Sequence, residues 1–422
     1  MKERMVMVAV ALLMIIATLF WIAGSELLPG PALLREIGLL AAALGLVLLF
    51  VQYVLVSRIK FLERGFGLDK MFMRHRFFGR AGLVFLTLHV TLIVFYRIWQ
   101  FGELFPNLNI YVGLAALLGF IITGALASQH KKLGLRYETW RGVHLFNYLL
   151  FPLALFHVFY FTRTGSALYY LWLILALLFA AVVLYRLWRI YTIRNNSYRV
   201  TEVRQEAKDI WSLFFEGEKI AFNPGQFMFM QLVRGGRLSS PHPFTISSAP
   251  TQNKLSITPR ELGDFTATIK DTKSGDLAYI DAPYGVFSFT GYDTGELVFI
   301  AGGIGITPFI SMLRYIRDKK LNKKVTLFWT NRSEDSFCFR DELKLMGEEM
   351  PGFEAVMFIS GGTKSPGSDQ HLSGSIIKEH LGTLGGKDFF ICGPPSMTKA
   401  ITDDLKELGV PAAKIRVELF QL

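Results

Sequence analysis

The chain has 422 residues, of which 51% are hydrophobic and 19% are charged, and its mean hydropathy is +0.36. Such a chain is too apolar to form a single soluble globule. The net charge of +11 does not indicate a nucleic-acid partner, because it partly reflects basic loops between apolar segments and no basic stripe is interleaved with aromatic residues.

The apolar residues are concentrated in the N-terminal half. About 20 apolar residues cover the ~30 Å hydrocarbon core of a bilayer, and six stretches of the chain are long enough to do so. They predict membrane spans at residues 5–27, 36–56, 77–98, 109–129, 143–162 and 168–190. At "IYTIRNNSYRV" the pattern changes to short strands, glycine-rich turns and amphipathic segments. Residues 1–194 are therefore predicted to form a membrane domain, followed by a water-soluble module.

Positive charge alternates between the predicted loops. Lysine and arginine cluster at the N-terminus, in the second and fourth loops and after the last span, whereas the other three loops carry only Arg35, Arg97 and Arg163. The positive-inside rule then places the N-terminus and the soluble half in the cytoplasm and makes the protein a multi-pass protein of the cell membrane. The first span is predicted to be a retained anchor rather than a signal peptide, because the alternation requires it. Cys338 and Cys392 are the only cysteines, which excludes a disulfide framework.

Four of the eight histidines lie in or at the ends of two spans: His75 and His89 on the third, His144 and His157 on the fifth. Ionisable side chains in a bilayer indicate function. Fourteen residues on a helix return to within about 40° of the starting direction, roughly 21 Å further along the axis. Two parallel spans of this kind can hold two flat ligands, one per leaflet, and haem iron takes two axial imidazoles. We expect His75 to pair with His144 on the cytoplasmic side and His89 with His157 on the outer side. Interhelical hydrogen bonding, a proton relay or another metal are the alternatives.

The second spacing is 13, which on an ideal helix leaves His144 and His157 about 140° apart. Pro152 lies between them. A proline inside a helix can kink it, so a kink at Pro152 is predicted to re-aim the second histidine.

The soluble half contains two kinds of pattern. "FNPGQFMFMQL", "SSPHPFTISSAP", "LSITPRELGDFT" and "IDAPYGVF" alternate short strands with turns and predict a small antiparallel barrel. "LVFIAGGIGITPFISML", "KVTLFWTNRSEDSFCF" and "DFFICGPPSMTKAITDDL" repeat a buried strand and a polar or glycine-rich turn, followed in the first and last by a helix. That order predicts a parallel nucleotide-binding sheet, whose glycines let a phosphate reach main-chain amides.

"HPFTISSAP", "GGIGITPFIS", "CGPPSM" and the ending "VELFQL" occur in this order. With the spans and histidines, they resemble the NADPH oxidase and ferric reductase superfamily, over residues 36–422. The spacings of 14 and 13 are similar to the NADPH oxidase branch, and the short outer loops are similar to its bacterial members. The resemblance implies an all-α six-helix transmembrane haem bundle (1–194), an antiparallel β-barrel FAD domain (195–294) and an α/β Rossmann-like NADPH domain (295–422).

The resemblance also assigns residues to FAD. Those that would line the flavin ring and ribityl chain are His242, Pro243, Phe244 and Thr245, with Ser247 and Ser248 beside them. Those that would meet the pyrophosphate are Gly263, Asp264, Phe265 and Thr266. His242 stands where soluble reductases usually carry an arginine, as it does in the oxidases.

A further set is assigned to the nicotinamide dinucleotide: Gly302, Gly303, Gly305, Thr307, Pro308, Gly393 and Pro394. Arg332 would bind the 2′-phosphate, which favours NADPH over NADH, although an exposed arginine can simply be solvated. Cys392, beside the nicotinamide, and Phe420, covering the flavin, are the candidate catalytic residues. A buried cysteine can also serve only in packing.

The resemblance implies a reaction. Electrons would pass from cytoplasmic NADPH through FAD and two b-type haems to O2 on the outer face, producing superoxide. A ferric chelate is an alternative acceptor, and an electron-transfer subunit feeding a periplasmic partner or quinone is an alternative function. Ile93 stands where some animal oxidases carry a further histidine, which weakens the case for a tuned oxygen site. The short outer loops favour a small acceptor. Without a calcium-binding loop or proline-rich docking tail in the sequence, no obligatory activator protein is expected.

Overall fold

The computed structural model describes residues 2–25, 29–102, 107–130, 132–135, 137–292, 295–360 and 372–418. The chain divides into two compact units, Met1–Ile190 and Tyr191–Leu422. The helices that begin in the first unit are α1 (Lys2–Ile22), α2 (Pro31–Val56), α3 (Lys60–Phe66), α4 (Leu68–Phe101), α5 (Leu108–Gln129), α6 (Tyr137–Leu145), α7 (Asn147–Phe161) and α8 (Ala167–Asn195).

Five helical segments are long and apolar enough to cross a membrane: Pro31–Val56, Lys70–Phe101, Leu108–Gln129, Thr139–Phe161 and Ala167–Asn195. They correspond to the last five predicted spans. The first predicted span falls on a shorter apolar helical segment, Met7–Ile22, and its last two residues lie outside the described part of the chain. The apolar helices make the protein a multi-pass membrane protein.

Among the five candidate spans, α2 is the most buried, and it packs against α4 through small residues. A Cβ atom on Gly45 of α2 would lie 2.8 Å from Leu86 Cγ and 3.2 Å from the Gly82 carbonyl oxygen of α4. Small residues let helix backbones approach closely where lipid gives no hydrophobic driving force. The ring of Phe151 on α7 is fully buried and packs against Phe179 on α8, with ring centroids 4.8 Å apart.

The fifth predicted span is two helices rather than one. α6 ends at Leu145 and α7 begins at Asn147, while Pro152 lies inside α7. A helix boundary at Phe146 thus lies between His144 and His157, in addition to Pro152 inside α7, and the kink at Pro152 stays a prediction. A contact from another helix stabilises this helix boundary, because the Tyr53 hydroxyl of α2 donates to the Asn147 carbonyl oxygen at 2.6 Å.

The second unit begins with an antiparallel sheet. Its strands are β1 (Ser197–Ala207), β2 (Ile210–Glu216), β3 (Phe227–Arg234), β4 (Arg237–Leu238), β5 (His242–Thr245), β6 (Leu255–Ile257) and β7 (Leu277–Tyr284). The strand order is β4-β3-β7-β1-β2-β6, and β5 pairs with β3. A bridge between Ile246, just after β5, and Ile257 of β6 joins the two ends. The sheet is thereby closed into the predicted barrel, within residues 195–294.

A five-stranded parallel sheet follows, within residues 295–422. Its strands are β8 (Glu296–Gly302), β9 (Val325–Asn331), β10 (Phe353–Ile359), β11 (Lys387–Cys392) and β12 (Ile415–Glu418), in the order β10-β9-β8-β11-β12. The helices of this region are α9 (Thr307–Asp318), α10 (Arg340–Glu349), α11 (Gly374–Leu381) and α12 (Pro395–Glu407). The buried, apolar strands alternating with helices confirm the predicted α/β fold.

The last strand is tied to its neighbour by buried charge. Asp388 of β11 is 0% exposed and accepts hydrogen bonds from Lys414 Nζ at 3.0 Å and Arg416 Nη1 at 2.8 Å. Burial alone would raise the pKa of Asp388, but the hydrogen bonds and positive charge of Arg416 and Lys414 outweigh it and hold the pKa below its ordinary value. The carboxylate therefore stays ionised and anchors β12.

Candidate cofactor sites

The imidazoles of His75 on α4 and His144 on α6 lie next to each other in an edge-on arrangement. Their ring centroids are 6.0 Å apart and their planes cross at 82°. Two imidazoles bound on opposite sides of one metal ion, each through a bond of about 2 Å, hold their ring centres roughly 6 Å apart. The pair therefore has the separation that two axial ligands of one ion require.

His89 and His157 are oriented by main-chain carbonyls. His89 Nδ1 lies 2.9 Å from the Gly38 carbonyl oxygen of α2, and His157 Nδ1 lies 2.7 Å from the Asn109 carbonyl oxygen of α5. Because a carbonyl oxygen only accepts, each Nδ1 carries the proton and donates it. The lone pair of each ring is then on Nε2, as in metal-binding histidines whose other nitrogen is held by a carbonyl.

A glycine makes room for the ring of His157. A Cβ atom on Gly113 of α5 would lie 2.5 Å from His157 Nδ1 and 2.6 Å from Cε1. The imidazole thus lies directly on the α5 backbone, one turn beyond the carbonyl that it contacts. Nothing in the local sequence marks Gly113 for this role, and only the packing reveals it.

The number of protein ligands distinguishes a site for a bare metal ion from a site for a metal already held in a macrocycle. In the part of the chain that the structure describes, no three His, Cys, Asp or Glu side chains come together as a metal site. Protein sites for bare transition metals usually supply three or four ligands, whereas haem brings four nitrogens of its own and needs only axial ligands. Residues arranged as pairs of histidines fit haem.

An open groove of about 440 Å³ lies on the face of α4 opposite His75. It is lined by Met73, Arg76, Phe77, Arg80, Ala81 and Val84. Apolar side chains and two guanidinium groups share this surface, which is not part of the His75 site.

The barrel brings the two predicted FAD segments together. The imidazole of His242 on β5 stacks on the ring of Phe265, with centroids 4.0 Å apart and planes at 14°. Phe244 of the same strand lies 6.1 Å from Phe265 between ring centroids. On the far side, the Arg234 guanidinium of β3 lies 5.5 Å from the Phe265 ring centroid. Arg234 also donates to the carbonyl and the hydroxyl oxygen of Thr268, which holds the segment on the barrel.

The predicted pyrophosphate segment forms a tight turn. Thr266 Oγ1 accepts the main-chain N–H groups of Leu262 at 3.0 Å and Gly263 at 2.9 Å. Asp264 is exposed within this turn, and Thr245 is buried at the end of β5. The predicted flavin residues thus lie on β5 and on the turn whose Phe265 stacks on it.

Ser247 and Ser248 are buried, and their hydroxyls are used inside the barrel. Ser247 Oγ lies 2.9 Å from Ser256 Oγ and accepts the Thr258 hydroxyl at 3.0 Å, while Ser248 Oγ accepts the Ser256 N–H at 3.0 Å. These contacts position the main chain next to Thr245.

The same two serines connect the barrel to the parallel sheet. Ser247 O accepts a hydrogen bond from Arg314 Nη1 at 2.9 Å, and Ser248 O accepts one from the Ser311 hydroxyl at 2.7 Å. Arg314 is itself held by a bidentate contact to Glu342, with distances of 2.7 and 2.6 Å. α9 therefore links the flavin segment to the parallel sheet, a connection for which the sequence gives no motif.

The predicted nicotinamide residues meet where β8 and β11 end side by side. A Cβ atom on Gly302 would lie 2.6 Å from Met397 Sδ and 2.8 Å from Pro394 Cδ, and one on Gly393 would lie 3.0 Å from Gly302 Cα. A Cβ atom on Gly305 would lie 2.7 Å from the carbonyl carbon of Cys392. The two turns are in main-chain contact, which only glycine permits.

Around this edge, Thr307 and Pro308 begin α9, and Arg332 is exposed immediately after β9. Asn331, which ends β9, has a buried side-chain nitrogen without a hydrogen-bond partner, and its Oδ1 lies 3.9 Å from a Cβ atom built on Gly303. The unpaired Asn331 side-chain nitrogen, buried at a glycine turn, can donate to the phosphate or ribose oxygens of a ligand. Sequence reasoning did not identify Asn331.

Cys392 lies in the core at the end of β11, with its side chain 0% exposed. Burial, reinforced by the charge of Glu418, raises the pKa of its thiol well above the ordinary value, so the thiol remains protonated. Phe420, the other candidate catalytic residue, lies outside the described residues.

Three known protein families match the chain in succession. Residues 41–155 match the family described as "Ferric reductase like transmembrane component", residues 196–288 a "FAD-binding domain" and residues 299–403 an "Oxidoreductase NAD-binding domain". FAD and NAD(P)H are therefore cofactors of the soluble unit.

Among curated relatives, the gamma subunit of sulfhydrogenase 2 from Pyrococcus furiosus is 27% identical over 54% of this chain and 83% of its own. The reductase subunit of glycine betaine monooxygenase from Chromohalobacter salexigens is 25% identical over 54% of this chain and 65% of its own. The chain thus spans less than two thirds of the latter protein.

The crystal structure of flavohemoglobin from Malassezia yamatoensis has a TM-score of 0.50 and 19% identity, with coverage of 93% of this chain and 98% of that one. At this identity the likeness concerns the fold alone. The order of the three families carries the identification: the chain has the architecture of the NADPH oxidase and ferric reductase superfamily.

Proposed function

We propose that the protein is a superoxide-generating NADPH oxidase. The family architecture transfers electrons from NAD(P)H through FAD to a ferric-reductase-like transmembrane domain. The proposal adds two b-type haems, one held by His75 and His144 and the other by His89 and His157, and O2 as the acceptor. The observation that carries it is the 6.0 Å separation of the His75 and His144 ring centroids.

When bound, FAD converts a hydride into two single electrons, and the haems provide one-electron steps across the membrane. The protein residues bind and orient these groups. The glycine turns after β8 and β11 admit the dinucleotide, and His242 and Phe265 offer the flat surface beside the flavin.

Arg332 supports NADPH over NADH. It is exposed immediately after β9, where a guanidinium fork can bind a 2′-phosphate. Cys392 and Phe420 are proposed to lie beside the nicotinamide and flavin. A protonated Cys392 thiol serves there by packing and shape, because burial disfavours its thiolate.

The charge of the loops supports a cytoplasmic soluble unit, which takes NADPH from the cytoplasm and delivers electrons outside. The outer connections are short: α4 ends at Phe101 and α5 begins at Leu108, and α7 ends at Phe161 and α8 begins at Ala167. Such loops offer little surface for a bulky ferric chelate, which favours O2. No activator protein is part of the proposal.

The test is NADPH oxidation by the detergent-purified protein with added FAD. If the proposal holds, haem absorbance shows reduction without oxygen, and each NADPH yields two superoxide molecules, detected as cytochrome c reduction that superoxide dismutase abolishes. Haem reduction without superoxide would contradict O2 as acceptor and leave a ferric chelate, a periplasmic partner or a quinone. Absence of haem would contradict the electron path itself.

A further inference from the structure

Asn147 is the first residue of α7, and its side chain bridges two other groups. Asn147 Nδ2 lies 3.3 Å from His144 Nδ1, and the Thr123 hydroxyl of α5 lies 2.7 Å from Asn147 Oδ1. Thr123 Oγ1 also lies 3.2 Å from the Phe120 carbonyl oxygen. The helix interruption places Asn147 here, and the Tyr53 hydroxyl holds its carbonyl group.

The direction of these hydrogen bonds depends on the tautomer of His144. If Asn147 Nδ2 is the amide atom that faces His144, it donates. His144 Nδ1 must then be an acceptor, and His144 Nε2 must carry the proton. An imidazole that binds iron through Nε2 has its proton on Nδ1, and two donors would then face each other.

A half-turn of the Asn147 amide removes this conflict. The nitrogen and oxygen of an amide are assigned from the hydrogen-bond network, because their shapes are nearly the same. In the turned amide, Oδ1 accepts from His144 Nδ1, and Nδ2 donates to Thr123 Oγ1. The Thr123 hydroxyl keeps its proton for the Phe120 carbonyl oxygen. Every donor then has an acceptor.

We propose that Asn147 and Thr123 are positioning residues that hold His144 in the tautomer required for iron binding. The inference rests on the proposed function, since it requires a haem between His75 and His144. His89 and His157 use main-chain carbonyls for the same purpose, and no side-chain substitution removes those. His144 also interacts with the Thr123 main chain, but its Nδ1 is in addition 3.3 Å from a side chain, that of Asn147, and this contact can be altered by mutation.

The hydrogen bond to His144 is expected to affect the midpoint potential of only one haem, the one between His75 and His144. A hydrogen bond accepted from Nδ1–H makes the imidazole a stronger donor to iron and stabilises the oxidised state. Asn147→Leu removes the acceptor at similar volume. The midpoint potential of the haem at His75 and His144 then shifts to a more positive value, and its low-spin electron paramagnetic resonance signal changes. The other haem keeps both properties.

The experiment is a redox titration of the full-length purified protein, followed by absorbance and electron paramagnetic resonance. The His75→Leu variant identifies the inner haem as the signal that it lacks. Thr123→Val, which removes the hydroxyl at nearly constant shape, gives a smaller shift of the same sign, and Thr123→Ser restores the wild-type potential. Asn109→Leu is the matched control, because His157 contacts the Asn109 carbonyl while the Asn109 side chain contacts Asn107.

Unchanged potentials and signals in both Asn147→Leu and Thr123→Val would overturn the inference. If Asn147→Leu loses the inner haem, Thr123→Val decides the matter alone: a shift supports the inference and an unchanged potential overturns it. Wild-type protein without bis-imidazole haem would instead contradict the proposed function. The two failures are therefore distinguishable.

Discussion

His75 and His144 come from helices separated in sequence by a third, and their rings meet at 6.0 Å between centroids with planes at 82°. The separation leaves room for one metal ion between the two rings.

Replacing His75 by leucine is expected to remove one of the two proposed haems. A haem left with a single axial histidine at this level loses half of its protein bonds, so the haem content falls from two to one per chain. Pyridine haemochromogen assays against protein concentration measure this ratio. His130→Ala is the control, because His130 Nδ1 lies 2.9 Å from the Ala127 carbonyl oxygen of its own helix end and is paired with none of the four histidines in the proposal. Two haems in His75→Leu would refute the assignment.

Gly113→Val is expected to remove the outer haem. The new side chain would occupy the space of the His157 ring, starting from a Cβ atom 2.5 Å from Nδ1, and overpacking of this kind forces neighbouring groups to move. Haem content should fall to one per chain, and the remaining signal should be the one absent from His75→Leu. Gly65→Ala is the control, because nothing lies within 4 Å of its added Cβ atom. A full haem content in Gly113→Val would show that His157 does not need this contact.

Arg332→Ala is expected to raise the KM for NADPH roughly ten- to hundredfold, because a hydrogen bond to a charged group contributes about 1.5–3 kcal/mol. The KM for NADH should not change, since NADH lacks the 2′-phosphate. Steady-state oxidation rates with both nucleotides measure the two constants. Arg340→Ala provides the comparison, as Arg340 is also exposed but lies 2.9 Å from Glu334. An equal loss for both nucleotides would assign Arg332 a role other than phosphate recognition.

Asp388→Asn is expected to destabilise the soluble unit at neutral pH and not at low pH. The pKa of Asp388 is lowered by Arg416 and Lys414, so its stabilising contribution is present above the unfolded value of about 3.9 and is lost as the pH falls through the folded value. Breaking a buried pair costs about 3 kcal/mol, the lower end of the usual range, because Lys414 is 40% exposed. Thermal release of FAD fluorescence from the full-length protein gives the midpoint.

The wild type and Asp388→Asn should differ by roughly 5–10 °C at pH 7 and converge below about pH 4. Glu354→Gln, which alters an exposed contact with His380, is the control. A difference that persists unchanged to low pH would mean that the asparagine acts through packing.

The spans, the four histidines and the order of the soluble motifs could be predicted from the sequence, because each is a local pattern. Apolar runs, glycine turns and histidine spacings need no knowledge of distant contacts. The confirmed fold class therefore rests on patterns that extend over only a few residues at a time.

The position of the helix interruption could not be predicted in this way. Proline was the local signal, but the break at Phe146 is accompanied by a hydrogen bond from Tyr53, 94 residues away. The same limitation applies to Gly113 and Arg314, whose partners come from other elements, and to Asn331, whose burial depends on the packing around the glycine turn. Ser247 and Ser248 were assigned beside the flavin from their motif, and only the neighbouring strand shows that their hydroxyls are already bonded.

The helix boundary at Phe146 leaves one histidine of the fifth span on α6 and the other on α7. An insertion or deletion in α7 before His157 would change the direction of the outer ligand without turning the inner one. A sequence pattern that required a spacing of fourteen residues between the two histidines of each span would not detect this chain, in which His144 and His157 are thirteen residues apart. A spacing of thirteen residues across a boundary between two helices can therefore place two histidines at two levels, as fourteen residues do on one helix.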